Sequence, residues 1–174
     1  LLLGIASLGH LSTDGEIMAS ELVANGVMFH LAGYSVTSMA AFLAIIAVFN
    51  ITGKENIPDF AGMAKRAPIV ALTLSISFFS LAGLPFFAGF TTKFYLFTAA
   101  ATEGLLWLVG LAMVNSLISL YYYLVVIHQM YIQTAEDNTT IAVPKLTSSV
   151  LVALMLGIFL IGIYPGPLMD AIQS

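Results

Sequence analysis

The stretch from Pro68 to Ala101, PIVALTLSISFFSLAGLPFFAGFTTKFYLFTAAA, carries no charge before Lys93 and decides the fold. At 1.5 Å per residue it would make a helix of roughly 50 Å, while the hydrocarbon of a bilayer is only about 30 Å thick. Something must break it, and the only helix-breaking cluster is Gly83, Leu84 and Pro85 near the middle. Pro85 has no amide hydrogen to give and clashes with the preceding turn, while Gly83 adds backbone freedom. Two readings follow: one span built of two half-helices around an unwound centre, or two short spans joined by a turn.

The rest of the 174-residue chain places that stretch in a membrane. Sixty per cent of the residues are hydrophobic and 8% are charged, against about 25% charged in a soluble domain. So few charges cannot cover a water-facing surface. The net charge of −4 and the five Lys and Arg exclude a nucleic-acid surface. The absence of cysteine excludes disulfides and Cys-ligated iron-sulfur clusters within the chain. Leu1 stands inside an apolar run with no initiator methionine or basic leader, so the sequence reads as the continuation of a longer protein.

Measured against the roughly 20 residues that cross a bilayer, residues 1–11 read as the end of a helix and 25–50, 68–101, 105–132 and 148–164 as spans. Asp14, Glu16 and Glu21 mark a loop after the first of these. A second loop, 51–67, is charged and turn-rich, and a third holds Glu136, Asp137 and Lys145. The expected fold is all-α: a single polytopic transmembrane bundle of four full spans plus the end of a fifth, one span being discontinuous. If 68–101 crosses once, Lys54, Lys65, Arg66 and Lys145 share one side, and the other carries only acids. The positive-inside rule then favours one crossing, with loops 51–67 and 133–147 in the cytoplasm.

A charge within an apolar span is expensive, and Lys93 is the one candidate. Taking an amine out of water disfavours its charged form, so a moving neighbouring charge can load or unload it with a proton. Broken membrane helices are tolerated where freed backbone groups line a cavity, and transporters place ion sites there. Three polar stripes at helical spacing stand to face such a site: Thr73, Ser77 and Ser80; Asn115, Ser119 and Tyr122; His30, Tyr34 and Ser38. Hydroxyls and small residues also glue membrane helices together, and Gly33, Thr37 and Ala41 look like such a seam. Tyr123 lies past the middle of its span and needs a hydrogen-bond partner. His128 reads as a helix-terminal residue or a relay at the cytoplasmic mouth. His30 and His128 fall at opposite ends of their spans, which argues against a haem held between them.

Three motifs then resemble a known family. Asn56-Ile-Pro-Asp-Phe-Ala-Gly-Met, Ser80-Leu-Ala-Gly-Leu-Pro-Phe-Phe-Ala-Gly-Phe-Thr-Thr-Lys93 and Ser119-Leu-Tyr-Tyr-Tyr-Leu occur in order. They are similar to segments of the antiporter-like membrane subunits of respiratory complex I, the NADH:quinone oxidoreductase, and most of all to the subunit N (subunit 2) type. The resemblance covers essentially the whole chain and implies the C-terminal part of such a subunit. It implies that Lys93 is the lysine of the family's broken helix and that Gly83, Leu84 and Pro85 are the break. His30 matches a histidine of the L and M types, but Ser38 stands where those have a lysine.

The implied function is proton translocation without redox chemistry in this chain. NADH, flavin, iron-sulfur clusters and quinone are expected in other subunits, and neighbouring antiporter-like subunits and the lipid bilayer are the expected partners. The implied membrane is the bacterial plasma membrane. Cation/proton antiporter and membrane hydrogenase subunits share the fold and remain rivals, as does a scaffold whose polar stripes only hold helices together.

Overall fold

The computed structural model describes residues 17–102, 104–135 and 139–173. The helix end expected at 1–11 lies outside the described residues, as do Asp14, Glu16, Glu103, Glu136 and Asp137. Every regular element among the described residues is helical: α1 Ile17–Thr52, α2 Met63–Arg66, α3 Pro68–Ala82, α4 Ala88–Thr102, α5 Leu106–Tyr131, α6 Lys145–Ile163 and α7 Gly166–Gln173, with a 3-10 turn at Ile57–Phe60. The chain is an all-α membrane bundle. Among the described residues, three helical stretches are long and apolar enough to cross a bilayer, Val23–Thr52, Leu106–Tyr131 and Lys145–Ile163.

Some helix boundaries differ from those read by charge. Glu21, expected in a loop, lies inside α1, because nothing between Ile17 and Thr52 breaks a helix and a helix can continue past the hydrocarbon. Lys145, also expected in a loop, is the first residue of α6. Pro144 sets that boundary, and its carbonyl accepts the Ser148 amide at 3.0 Å. Pro165 and Pro167 do stop α6, as expected. They also open α7, since the fixed φ of proline suits a first helical turn.

The half-helices α3 and α4 lie in succession along α1. Gly26 of α1 packs on the Leu96 backbone and Gly33 on Thr92 and Ala88. Thr37 bonds to Ser80, and Ala44 and Val48 share a core with Val70, Ala71 and Leu74. Going up α1 is therefore going steadily down from α4 through the break to the start of α3, so the two halves form one discontinuous rod antiparallel to α1. A hairpin of two short spans would have placed both halves against the same part of α1.

This rod is the centre of the bundle. α6 packs against α1, α3 and α4, whereas α5 packs chiefly on the two halves of the rod, and its last turns meet α2 and the 3-10 turn. Lipid tails are as apolar as the side chains, so close backbone approach and interhelical hydrogen bonds hold such helices together. At Gly162 of α6 a Cβ would overlap the backbone of Phe86 and Phe87, which lets the unwound segment lie flat on that helix. The Thr91 hydroxyl secures the contact by donating to the Gly162 carbonyl at 2.6 Å. At the loop end, Arg66 Nε donates to the Thr139 carbonyl and its own carbonyl accepts the Ile141 amide.

Candidate functional site

The site starts from how α3 ends. Gly83 has φ 87°, a left-handed conformation open to glycine at little cost, and the chain turns out of the helix there. The Leu84 amide closes on the Phe79 carbonyl at 3.0 Å and the Gly83 amide on that of Ser80 at 2.9 Å. This Schellman pattern satisfies two of the terminal carbonyls and leaves the one on Leu81 available. Phe86 also takes a positive φ, 74°, which a bulky residue rarely adopts. The turn it makes starts α4 pointing on along the rod.

Lys93 takes the available carbonyl. From the second turn of α4 its stem folds back across the break, and Nζ donates to Leu81 O at 2.8 Å and to Ser116 Oγ of α5 at 3.0 Å. The amine rests at the C-terminal pole of α3, where the partial negative charge of the helix end favours a cation. Gly83 makes room for it: a Cβ there would stand 3.3 Å from Nζ. An ammonium has three donors, and two of them are engaged here.

A cavity of about 690 Å³ opens beside the amine and is also lined by His30, Tyr34, Asn115, Ser119 and Tyr123. No carboxylate lines it among the described residues. His30 Nδ1 is 3.1 Å from Thr92 Oγ1, next in sequence to Lys93. Ser119 donates to the Asn115 carbonyl and accepts from the Tyr122 hydroxyl, both at 2.9 Å. Tyr123 stacks on Phe78 with ring centroids 4.9 Å apart.

The start of α4 is capped from across the break. Ser80 Oγ accepts the Gly89 amide at 3.0 Å and lies 3.1 Å from Thr37 Oγ1. Gly89 itself touches the Ser80 carbonyl so closely that a Cβ would overlap it. Of the residues singled out in the sequence, His30, Tyr34, Ser80, Ser119 and Tyr123 thus share a cavity with Lys93, and Tyr122 joins through Ser119. Ser38, Ser77 and His128 do not line it. Ser77 is fully buried with no hydrogen-bond partner among the described residues, and His128 is exposed near the end of α5. Thr73, in the same stripe as Ser77, returns its hydroxyl to the Ile69 carbonyl and acts within its own helix.

Sequence reasoning did not single out Ser116 or the Leu81 carbonyl. The apolar-polar rhythm of α5 had pointed to its neighbour Asn115. A carbonyl freed by a Schellman turn has no side-chain signature, although the glycine that makes the turn does.

The chain is similar in sequence and fold to known proteins. The NADH:quinone oxidoreductase/Mrp antiporter transmembrane family matches residues 2–119. The NADH-quinone oxidoreductase subunit N of Moorella thermoacetica is 39% identical over 166 residues, covering 94% of this chain and 34% of that protein. The chain thus spans about a third of the length of that relative. A chain of the membrane-bound sulfane sulfur reductase, an archaeal respiratory membrane complex, superposes with a TM-score of 0.80 at 30% identity over 87% of this chain and 31% of its own length. A chain of respiratory complex I from Thermus thermophilus gives 0.70 at 22% identity, covering 98% and 42%, and shares the fold. With the match extending over two thirds of its residues, the chain belongs to the NADH:quinone oxidoreductase/Mrp antiporter transmembrane family.

Proposed function

We propose that this chain is part of a proton-translocating, non-redox membrane subunit of an NADH:quinone oxidoreductase, with Lys93 as the group that takes up and releases the proton. One observation carries the reading: the only amine within the apolar rod is held at a helix break, beside a cavity lined with polar groups. A lysine that merely snorkels would extend its stem toward a membrane surface. Lys93 instead folds back to the break. The cavity residues His30, Tyr34, Ser119 and Tyr123 are the neighbours through which protons would reach or leave the amine.

In this reading electron transfer takes place in other subunits, which hold the NADH site, flavin, iron-sulfur clusters and quinone, and this chain holds no cofactor. Its partners are the other membrane subunits, neighbouring antiporter-like subunits among them. The membrane is the bacterial plasma membrane. The rod crosses it once, which the antiparallel succession of α4 and α3 along α1 supports, and the basic residues put loops 51–67 and 133–147 on the cytoplasmic side. A second reading, a subunit of a related respiratory membrane complex that reduces a different acceptor, draws on the likeness to the sulfane sulfur reductase chain.

The test replaces Lys93 by Met in the full-length subunit of an intact complex and follows proton uptake into vesicles during NADH oxidation. Loss of a large share of the pumping, with the complex assembled, is expected. Pumping equal to the unaltered complex overturns the proposal in favour of a scaffold. Pumping that follows sodium rather than protons selects a cation antiporter.

A further inference from the structure

We infer that Ser116 is a positioning residue for proton exchange at Lys93, its hydroxyl serving both the charged and the neutral form of the amine. The inference rests on the reading of Lys93 given above and adds the partner that lets the side chain stay in place through the cycle.

The amine has two hydrogen-bond partners of different character. Leu81 O, 2.8 Å from Nζ, is a carbonyl and can only accept. Ser116 Oγ, 3.0 Å away, accepts from the ammonium in the arrangement seen and also owns a proton. Other hydroxyls lining the cavity have spent theirs: Ser119 donates to the Asn115 carbonyl and Thr37 to the Gly33 carbonyl. Ser116 has no such bond to its own helix among the described residues, so its O–H is free to turn.

The two forms of a lysine need opposite things. The ammonium offers three hydrogens and no lone pair, whereas the amine offers two hydrogens and one lone pair that wants a donor. When Nζ gives up a proton, one of its remaining hydrogens can stay on Leu81 O, and rotation of the Ser116 hydroxyl supplies a donor to the new lone pair. No backbone movement is needed. Neither Leu81 O nor the Gly83 backbone could do this. His30 is bonded to Thr92 through Nδ1, and Asn115 lines the same cavity without a bond to the amine. Ser116 also comes from α5, so its bond to Nζ ties that helix to the break.

The test uses the full-length subunit in the intact complex and four changes: Ser116→Ala, Ser116→Thr, Ser116→Val and Lys93→Met, the last also combined with Ser116→Ala. The rate of proton pumping per assembled complex is measured together with the rate of electron transfer. Ala and Val are expected to lower the pumping rate on the order of tenfold, the scale of losing one hydrogen bond to a charged group. Thr, which keeps the hydroxyl in the shape of Val, is expected to restore most of it. Ser116→Ala is expected to add nothing once Lys93 is Met. Equal pumping by Thr and Val, whether high or low, overturns the inference, because two side chains of one shape would then differ in nothing but an irrelevant oxygen. A further loss from Ser116→Ala on the Lys93→Met background also overturns it, since the serine would then act elsewhere. Full pumping by Lys93→Met alone is a different result and removes the parent proposal, whatever the serine variants do.

Discussion

The Thr37 and Ser80 hydroxyls stand 3.1 Å apart, and only one assignment of their protons satisfies both. Thr37 gives its proton to the Gly33 carbonyl at 2.8 Å, so Ser80 must be the donor to Thr37 while it accepts the Gly89 amide. The chain runs one way, from an amide through two hydroxyls into a backbone carbonyl. Such a chain has a fixed start and end, and it fastens α4 to α3 and both to α1.

Removing that fastening should weaken the bundle before it alters the chemistry. Ser80→Ala leaves the Gly89 amide uncapped and deprives Thr37 of its donor, at a cost of about 1–3 kcal/mol for a buried unsatisfied group. The expected outcome is a lower unfolding temperature of the assembled complex, with pumping per assembled complex largely kept. A variant of full thermal stability that pumps poorly would place Ser80 on the proton path instead.

Gly83→Ala should separate geometry from packing. An alanine at positive φ is disfavoured by about 1 kcal/mol, and its Cβ would press on Nζ from 3.3 Å. Pumping is expected to fall more than the abundance of the complex does, as measured by vesicle acidification against subunit content. Equal declines in both would mean that the turn alone matters.

The close contact at Gly89 gives a sharper contrast. A Cβ there would overlap the Ser80 carbonyl, whereas one at Gly110 on α5 meets nothing within 4 Å. Gly89→Ala is expected to prevent stable assembly and Gly110→Ala to leave it untouched, read by subunit yield from membranes. Similar yields of the two variants would contradict the packing of the half-helices described above.

The single crossing of the rod can be tested with thiols, since the chain has no cysteine of its own. Lys54→Cys and Gly104→Cys place one at each end of the region, both at exposed positions. A membrane-impermeant maleimide added to one face of sealed vesicles should label one variant and not the other. Labelling of both from the same face would show that the segment between them crosses an even number of times.

Much of this was legible in the sequence, for reasons of cost. A run too long for the bilayer must break, and only Gly83 to Pro85 could break it. Lys93 is the one charge inside that run, so its expense singled it out, and the structure holds it at the break. Periodicity told which residues share a face of one helix, and His30, Tyr34, Ser119 and Tyr123 do face the cavity. It did not tell how one helix is rotated against another. Ser116 rather than Asn115 therefore meets the amine, Thr37 rather than Ser38 meets the rod, and Ser77 is buried away from the cavity. Charge was a poor guide to where helices end, because Glu21 and Lys145 sit on helices all the same.

The cradle of the amine is assembled from separate pieces: the Leu81 carbonyl rides on α3 and the Lys93 stem on α4. Sliding one piece past the other by about 1 Å stretches a 2.8 Å bond beyond the hydrogen-bonding range and strips the cation of an acceptor. Any such motion along the rod would change how well the Lys93 charge is held, and a change of that charge would alter the hold between the two halves.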